Sequence, residues 1–119
     1  MERSIKRGEG AILWSIKQIS GVFVFVLIIV HIIVNHLVAP TGLLSYDDVL
    51  AYIGNPWIAS METIFLVTVC GHSLLGVRSV VLDLNPGQTV VLWMDRILFI
   101  IGIGSVIYGV WLTTVIMAR

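Results

Sequence analysis

Three stretches of this chain, residues 16–37, 57–82 and 93–117, are long and almost purely apolar. An α-helix rises about 1.5 Å per residue, so each stretch reaches about 33 Å or more, enough to cross the ~30 Å hydrocarbon core of a bilayer. Runs of this length and apolarity read as transmembrane helices. Composition agrees: 58% of residues are hydrophobic and 12% charged, against about 25% charged in a soluble domain, and the mean hydropathy is +1.03. The expectation is an all-α, polytopic membrane protein, one domain over residues 1–119 with three transmembrane helices.

The segments around these runs fit the same picture. Glu2, Arg3, Lys6, Arg7 and Glu9 form a polar lead-in, Trp14 stands where an interfacial aromatic belongs, and Lys17 can snorkel back toward headgroups. The first apolar run is too long for a signal-peptide core, so no cleavage is expected. Ala39-Pro40-Thr41-Gly42 ends the first helix. Residues 46–53 then read as a short amphipathic helix on the membrane surface, with Ser45 as N-cap and Asp48 closing a capping box. Pro56 suits the first turn of the second span, and Asn85-Pro86-Gly87-Gln88 makes a tight turn into the third. There Gly102, Ser105 and Gly109 line up as a small-residue seam for close helix packing.

Charge placement gives an orientation. Arg3, Lys6, Arg7, Lys17, Arg78 and Arg96 fall on one side and only Arg119 on the other, which puts the N-terminus in the cytoplasm and the C-terminus outside. The formal net charge is zero, so nucleic acid has no electrostatic footprint here. Cys70, the one cysteine, forms no internal disulfide and reads as a packing thiol.

Polar groups deep inside apolar runs are costly and by default mark function. On the first span Ser20, Val24, Leu27, His31 and Asn35 follow at helical steps, so one stripe carries hydroxyl, imidazole and amide. Phe23, Phe25, Val26, Ile29 and Val30 lie on the opposite surface, and Ser20-Gly21 makes a small spot where another helix or a macrocycle can come close. The second span carries His72, with Gly76 one turn on and Arg78 and Asp83 beyond. Imidazole binds iron, copper and zinc well, and the glycine lets a bulky planar ligand approach the backbone. Haem ligation and a buried histidine bonded to a neighbouring helix both fit.

From the cytoplasmic ends of their spans His31 is ~22 Å deep and His72 ~15 Å deep, so the two imidazoles suit different haems better than one iron. His36, rotated by about 140° from His31, falls near the outer interface and reads as interfacial. Arg78 suits a haem propionate or is simply a positive-inside signal. Asp83 orients a polar site or caps the loop. Ser15, Lys17 and Gln18 lie at the level where a quinone headgroup needs hydrogen-bond donors, a level at which polar side chains are also merely solvated.

With these residues in view, His72-x3-Gly76-x6-Asp83 resembles the haem motif of the membrane-anchor subunits of succinate dehydrogenase and fumarate reductase (respiratory complex II). Ser20-Gly21, nine residues, then His31-Ile32-Ile33-Val34-Asn35 resembles the first helix of the two-haem anchors. The resemblance covers nearly the whole chain. It implies that His31 ligates a distal haem b and His72 a proximal one, with Ser20, Gly21, Gly76 and Arg78 around them. It also implies a second three-helix anchor subunit that completes the bundle, an iron–sulfur subunit, a flavoprotein subunit that oxidises succinate, and quinone as electron acceptor in the cell (inner) membrane. This chain by itself would hold no succinate chemistry. Two positions depart from the pattern. Leu84 follows Asp83 where single-haem anchors often carry a quinone-contacting tyrosine, and Gln18 stands where some partner anchors have arginine. A haem-free proton- or solute-translocating subunit, with His31, Asn35, Glu62 and His72 as a relay, and a purely structural assembly subunit are the alternatives.

Overall fold

The structure is a computed structural model that describes residues 10–38 and 45–119. The polar lead-in through Glu9 and the Ala39-Pro40-Thr41-Gly42 break lie outside the described residues. Helix α1 spans Ala11–Ile33, α2 Tyr46–Ile53, α3 Pro56–Asp83 and α4 Gln88–Met117, and there is no strand among the described residues. Three of these helices are long and apolar enough to cross a membrane. They outrun the expected spans: α1 begins five residues earlier than position 16 and α4 five earlier than position 93. Once the hydrogen-bond ladder is running it extends past the hydrocarbon zone at little cost, because propagation fixes one residue per bond gained.

Local chemistry sets the boundaries. Ser45 accepts from the Asp48 N–H at 3.2 Å while Asp48 accepts from the Ser45 N–H at 3.1 Å, the expected capping box at the start of α2. Asn55 caps α3 by accepting from the Trp57 N–H at 3.0 Å, with Pro56 in the first helical position where its missing N–H costs nothing. Between α3 and α4, Asn85 takes a left-handed φ of 53°, a conformation asparagine tolerates better than most residues. Beyond Ile33 the first helix widens into a π-helical turn, Val34–Val38. Asn35 supplies a cause: its side-chain amide donates to the His31 carbonyl at 2.7 Å. An α-helix reserves that acceptor for the Asn35 N–H, and a group inserted into the ladder loosens it.

Helix α3 is the middle of a row. It packs against α1 on one side and α4 on the other, α1 and α4 do not meet among the described residues, and α2 leans on α3 and α4. The α1 face toward α3 is the polar stripe read from the sequence, whereas Phe23, Phe25, Val26, Ile29 and Val30 are exposed. On the other side the seam is made of Gly102 and Gly109: a Cβ on Gly102 would stand 2.7 Å from Leu74 Cδ1, and one on Gly109 would overlap Leu66. Lipid tails offer no hydrophobic incentive for helices to associate, so close backbone approach at small residues matters. Ser105 corrects the expected seam. It is exposed, and Val106 is the partly buried residue between the two glycines, because the face follows i, i+4, i+7 through 102, 106 and 109.

Candidate functional site: two histidines on facing helices

One stripe of α3 carries Glu62, Phe65, His72 and Ser79, at steps of three and seven that keep them toward α1. Each meets a group on α1's polar stripe. His72 Nδ1 lies 3.0 Å from Ser20 Oγ, and Ser20 itself donates to the Lys17 carbonyl at 2.9 Å. One hydroxyl proton can serve only one of these contacts, and both are satisfied together when it goes to Lys17 and His72 Nδ1 carries its own, so Ser20 Oγ is assigned as the acceptor. Lys17 Nζ in turn donates to Ser79. Gly21 makes this possible: a Cβ there would stand 3.1 Å from His72 Cε1, so what comes close to the Ser20-Gly21 spot is the imidazole of α3.

At the other end of the bundle, His31 Nδ1 lies 3.0 Å from both oxygens of Glu62. Asn35 Nδ2 donates to the same carboxylate at 3.3 Å and Tyr52, on α2, donates its phenol proton at 2.9 Å. Three donors converge on Glu62, which suits the acceptor-only form of a carboxylate. Asn35 Nδ2 also comes within 3.2 Å of His31 Nδ1. Two carboxylate oxygens facing a bare ring nitrogen would repel it, so the proton sits on Nδ1 and points at Glu62, and the Asn35 approach is a contact only. The His31 ring stacks, tilted, on Phe65 with centroids 4.9 Å apart. Burial, and secondarily the Glu62 carboxylate, hold the Tyr52 phenol well above its ordinary value. Asn35 is buried, a polar residue kept in place by this network.

The two histidines therefore share a tautomer. Nδ1–H is tied to protein in each, and Nε2, carrying the lone pair that binds metals, has no hydrogen-bond partner among the described residues. They do not share a level. Ser20 and His31 on α1, and Glu62 and His72 on α3, give two counts of the same separation. Each count amounts to about 15 Å of helix rise. The expected difference in depth, ~7 Å, was too small, because α1 begins at Ala11 and not near residue 16, which adds ~7 Å to the depth of His31. Among the described residues no three His, Cys, Asp or Glu side chains gather as a metal site. A bare cation wants three or four such ligands, whereas a haem brings four of its own and asks a chain for one axial donor.

The other candidates scatter. Gly76, one turn from His72, has nothing within 4 Å of where a Cβ would stand, so the space over that glycine is open. Arg78 turns to α4, where Nε donates to Asp95 Oδ1 at 2.8 Å and Nη2 to Oδ2 at 3.4 Å. Gln18 is exposed on α1, Ser15 is half-buried, Asp83 is the exposed last residue of α3, and His36 is exposed within the π-helical turn. Sequence reasoning placed Glu62 with His31 and Asn35 only in the relay alternative, and it did not single out Tyr52, Ser79 or Asp95 as partners across helices. The one available signal was that Glu62 is a carboxylate inside an apolar run.

The model of the succinate dehydrogenase/fumarate reductase transmembrane subunit family matches residues 2–111 of the chain. The chain belongs to that family. It is a membrane-anchor subunit, and with three apolar helices a multi-pass membrane protein. Among curated proteins the anchor is similar to the succinate dehydrogenase hydrophobic membrane anchor subunit of Archaeoglobus fulgidus, 27% identical over 75 residues, covering 63% of this chain and 63% of the relative. The matched part thus spans less than two thirds of that relative's length. No solved structure matches the anchor.

Proposed function

We propose that this anchor binds haem b and carries electrons from an iron–sulfur subunit toward quinone as part of a succinate:quinone oxidoreductase. His72 would hold one haem iron and His31 another, and a second anchor subunit would supply the remaining protein ligand to each. The observation that carries this reading is the matched state of the two imidazoles: Nδ1–H held by protein, Nε2 bare, at levels about 15 Å apart. Holding Nδ1 fixes both tautomer and ring direction, which is how a protein prepares a histidine for iron. Bound haem supplies a one-electron carrier whose potential the axial ligands and their partners tune. The open space at Gly76 supports a macrocycle beside His72, and the row of helices, with α1 and α4 apart, leaves broad apolar faces for a partner subunit to cover. Arg78, paired with Asp95, serves in this reading to hold the α3–α4 corner.

The flavoprotein and iron–sulfur subunits dock at the end that carries Lys17, Ser79 and Arg78, which the excess of Lys and Arg assigns to the cytoplasm. Ser15, Lys17, Gln18 and Asp83 lie near that end, in reach of a quinone headgroup. The relay alternative is favoured by the cluster of His31, Asn35, Glu62 and Tyr52. It is weakened by Val24, Leu27, Phe65 and Val69, apolar residues that lie between this cluster and His72 on the shared face.

The test is haem quantification by pyridine haemochrome, with reduced-minus-oxidised spectra of the purified complex. The His72→Ala variant is expected to lose one haem component while the complex still assembles in part. The His31→Ala variant is expected to lose a second component of lower potential. Unchanged spectra in both variants would refute the assignment.

A further inference from the structure

The two imidazoles have the same tautomer but different acceptors. His72 donates to a neutral hydroxyl whose own proton goes on to a backbone carbonyl. His31 donates to a carboxylate that also gathers Asn35 and Tyr52. A carboxylate at Nδ1–H draws the proton toward itself and makes the other nitrogen a stronger donor, and this favours the oxidised state of a metal bound there. A serine hydroxyl does so far less. The electron-donor strength of Nε2 therefore differs between the two ends of the bundle for a reason visible in the polypeptide alone.

We propose that Glu62 is the positioning residue for His31, holding Nδ1–H and lowering the reduction potential of the haem at that end relative to the one at His72. Tyr52 moderates the effect: its phenol proton on Glu62 Oε1 spreads the carboxylate's charge, so the surface helix α2 has a hand in tuning a group inside the membrane. Asn35 belongs to the same device, bonding both the His31 carbonyl and Glu62 and closing the ring of contacts across α1 and α3. Glu62 and Tyr52 act through His31 and are not ligands. The proposal rests on the reading of His31 as a haem ligand.

Redox titration of the purified complex, followed by difference absorbance, tests it, with haem content measured alongside. Glu62→Gln keeps the shape and removes the charge, and the midpoint of the component that is lost in His31→Ala is expected to rise, with the other component unmoved. Glu62→Asp restores the charge and should bring that midpoint part of the way back. Tyr52→Phe works in the opposite direction: with no phenol proton the carboxylate pulls harder on His31, and the same midpoint should fall. Full haem content with unmoved midpoints in Glu62→Gln would overturn the role of Glu62, as would movement of the His72-dependent component alone. Should Glu62→Gln fail to assemble, an unmoved or raised midpoint in Tyr52→Phe overturns it equally. A parent complex with no haem component that depends on His31 would instead bring down the haem reading beneath it.

Discussion

Gly21 offers a perturbation whose size can be worked out in advance. In a helix interior, alanine is worth about 0.8–1.0 kcal/mol more than glycine, so Gly21→Ala should stabilise α1 on propensity alone. The new Cβ, however, would stand 3.1 Å from His72 Cε1. Carbon atoms settle at about 3.5 Å or more, so the ring must give by roughly 0.4 Å. The His72 Nδ1–Ser20 Oγ bond starts at 3.0 Å and has little slack before it passes the ~3.2 Å limit of a good N–H···O bond. Losing it costs about 0.5–1.5 kcal/mol, which offsets most or all of the propensity gain. Thermal unfolding of the purified complex should therefore change by less than about 1 kcal/mol, while redox titration shows the His72-dependent haem component displaced or broadened. Ser20→Ala should move the same component, and the double variant should move it by less than the sum, because both changes act on one hydrogen bond. A Gly21→Ala complex that gains the full ~1 kcal/mol of propensity and leaves that component untouched would refute the geometry on which this reasoning depends.

At the α3–α4 seam, Gly102→Val and Gly109→Val force Leu74 and Leu66 out of place and should each destabilise the complex by about 1–3 kcal/mol, readable as a lower unfolding temperature. Asp95→Asn removes the partner of Arg78. The two side chains are 41% and 22% exposed, so the cost should be about 1 kcal/mol or less and should shrink further with added salt. The Tyr52 phenol gives a pH signature. Its folded-state pKa lies above the unfolded one, so its contribution is fully present below the ordinary phenol value of ~10 and is lost as pH rises beyond it. Unfolding temperature should therefore drop above about pH 10 in the parent, with a shallower drop in Tyr52→Phe.

Much of the architecture was legible because the lipid environment narrows the choices. Three apolar runs of bilayer length admit little but helices, and the capping box at Ser45 and Asp48 is a local pattern that formed as read. The α1 stripe from Ser20 to Asn35 was legible too, since one helical period orders it and it does face α3. Pairings between helices were not. Nothing local ties Glu62 to His31, Tyr52 to Glu62 or Asp95 to Arg78; each depends on the register between elements far apart in sequence. Ser105 was placed in the seam by spacing alone, and one step of about 100° around the helix was enough to turn it outward.

Because α3 is gripped on both sides, it behaves as a ruler with marks on two edges. A residue inserted between Phe65 and His72 would advance everything after it by about 1.5 Å and swing it through about 100°. His72 would leave Ser20, Ser79 would leave Lys17, and Leu74 would slip out of the notch at Gly102, all from one added link. Length changes in this anchor are thus best tolerated in its connecting loops.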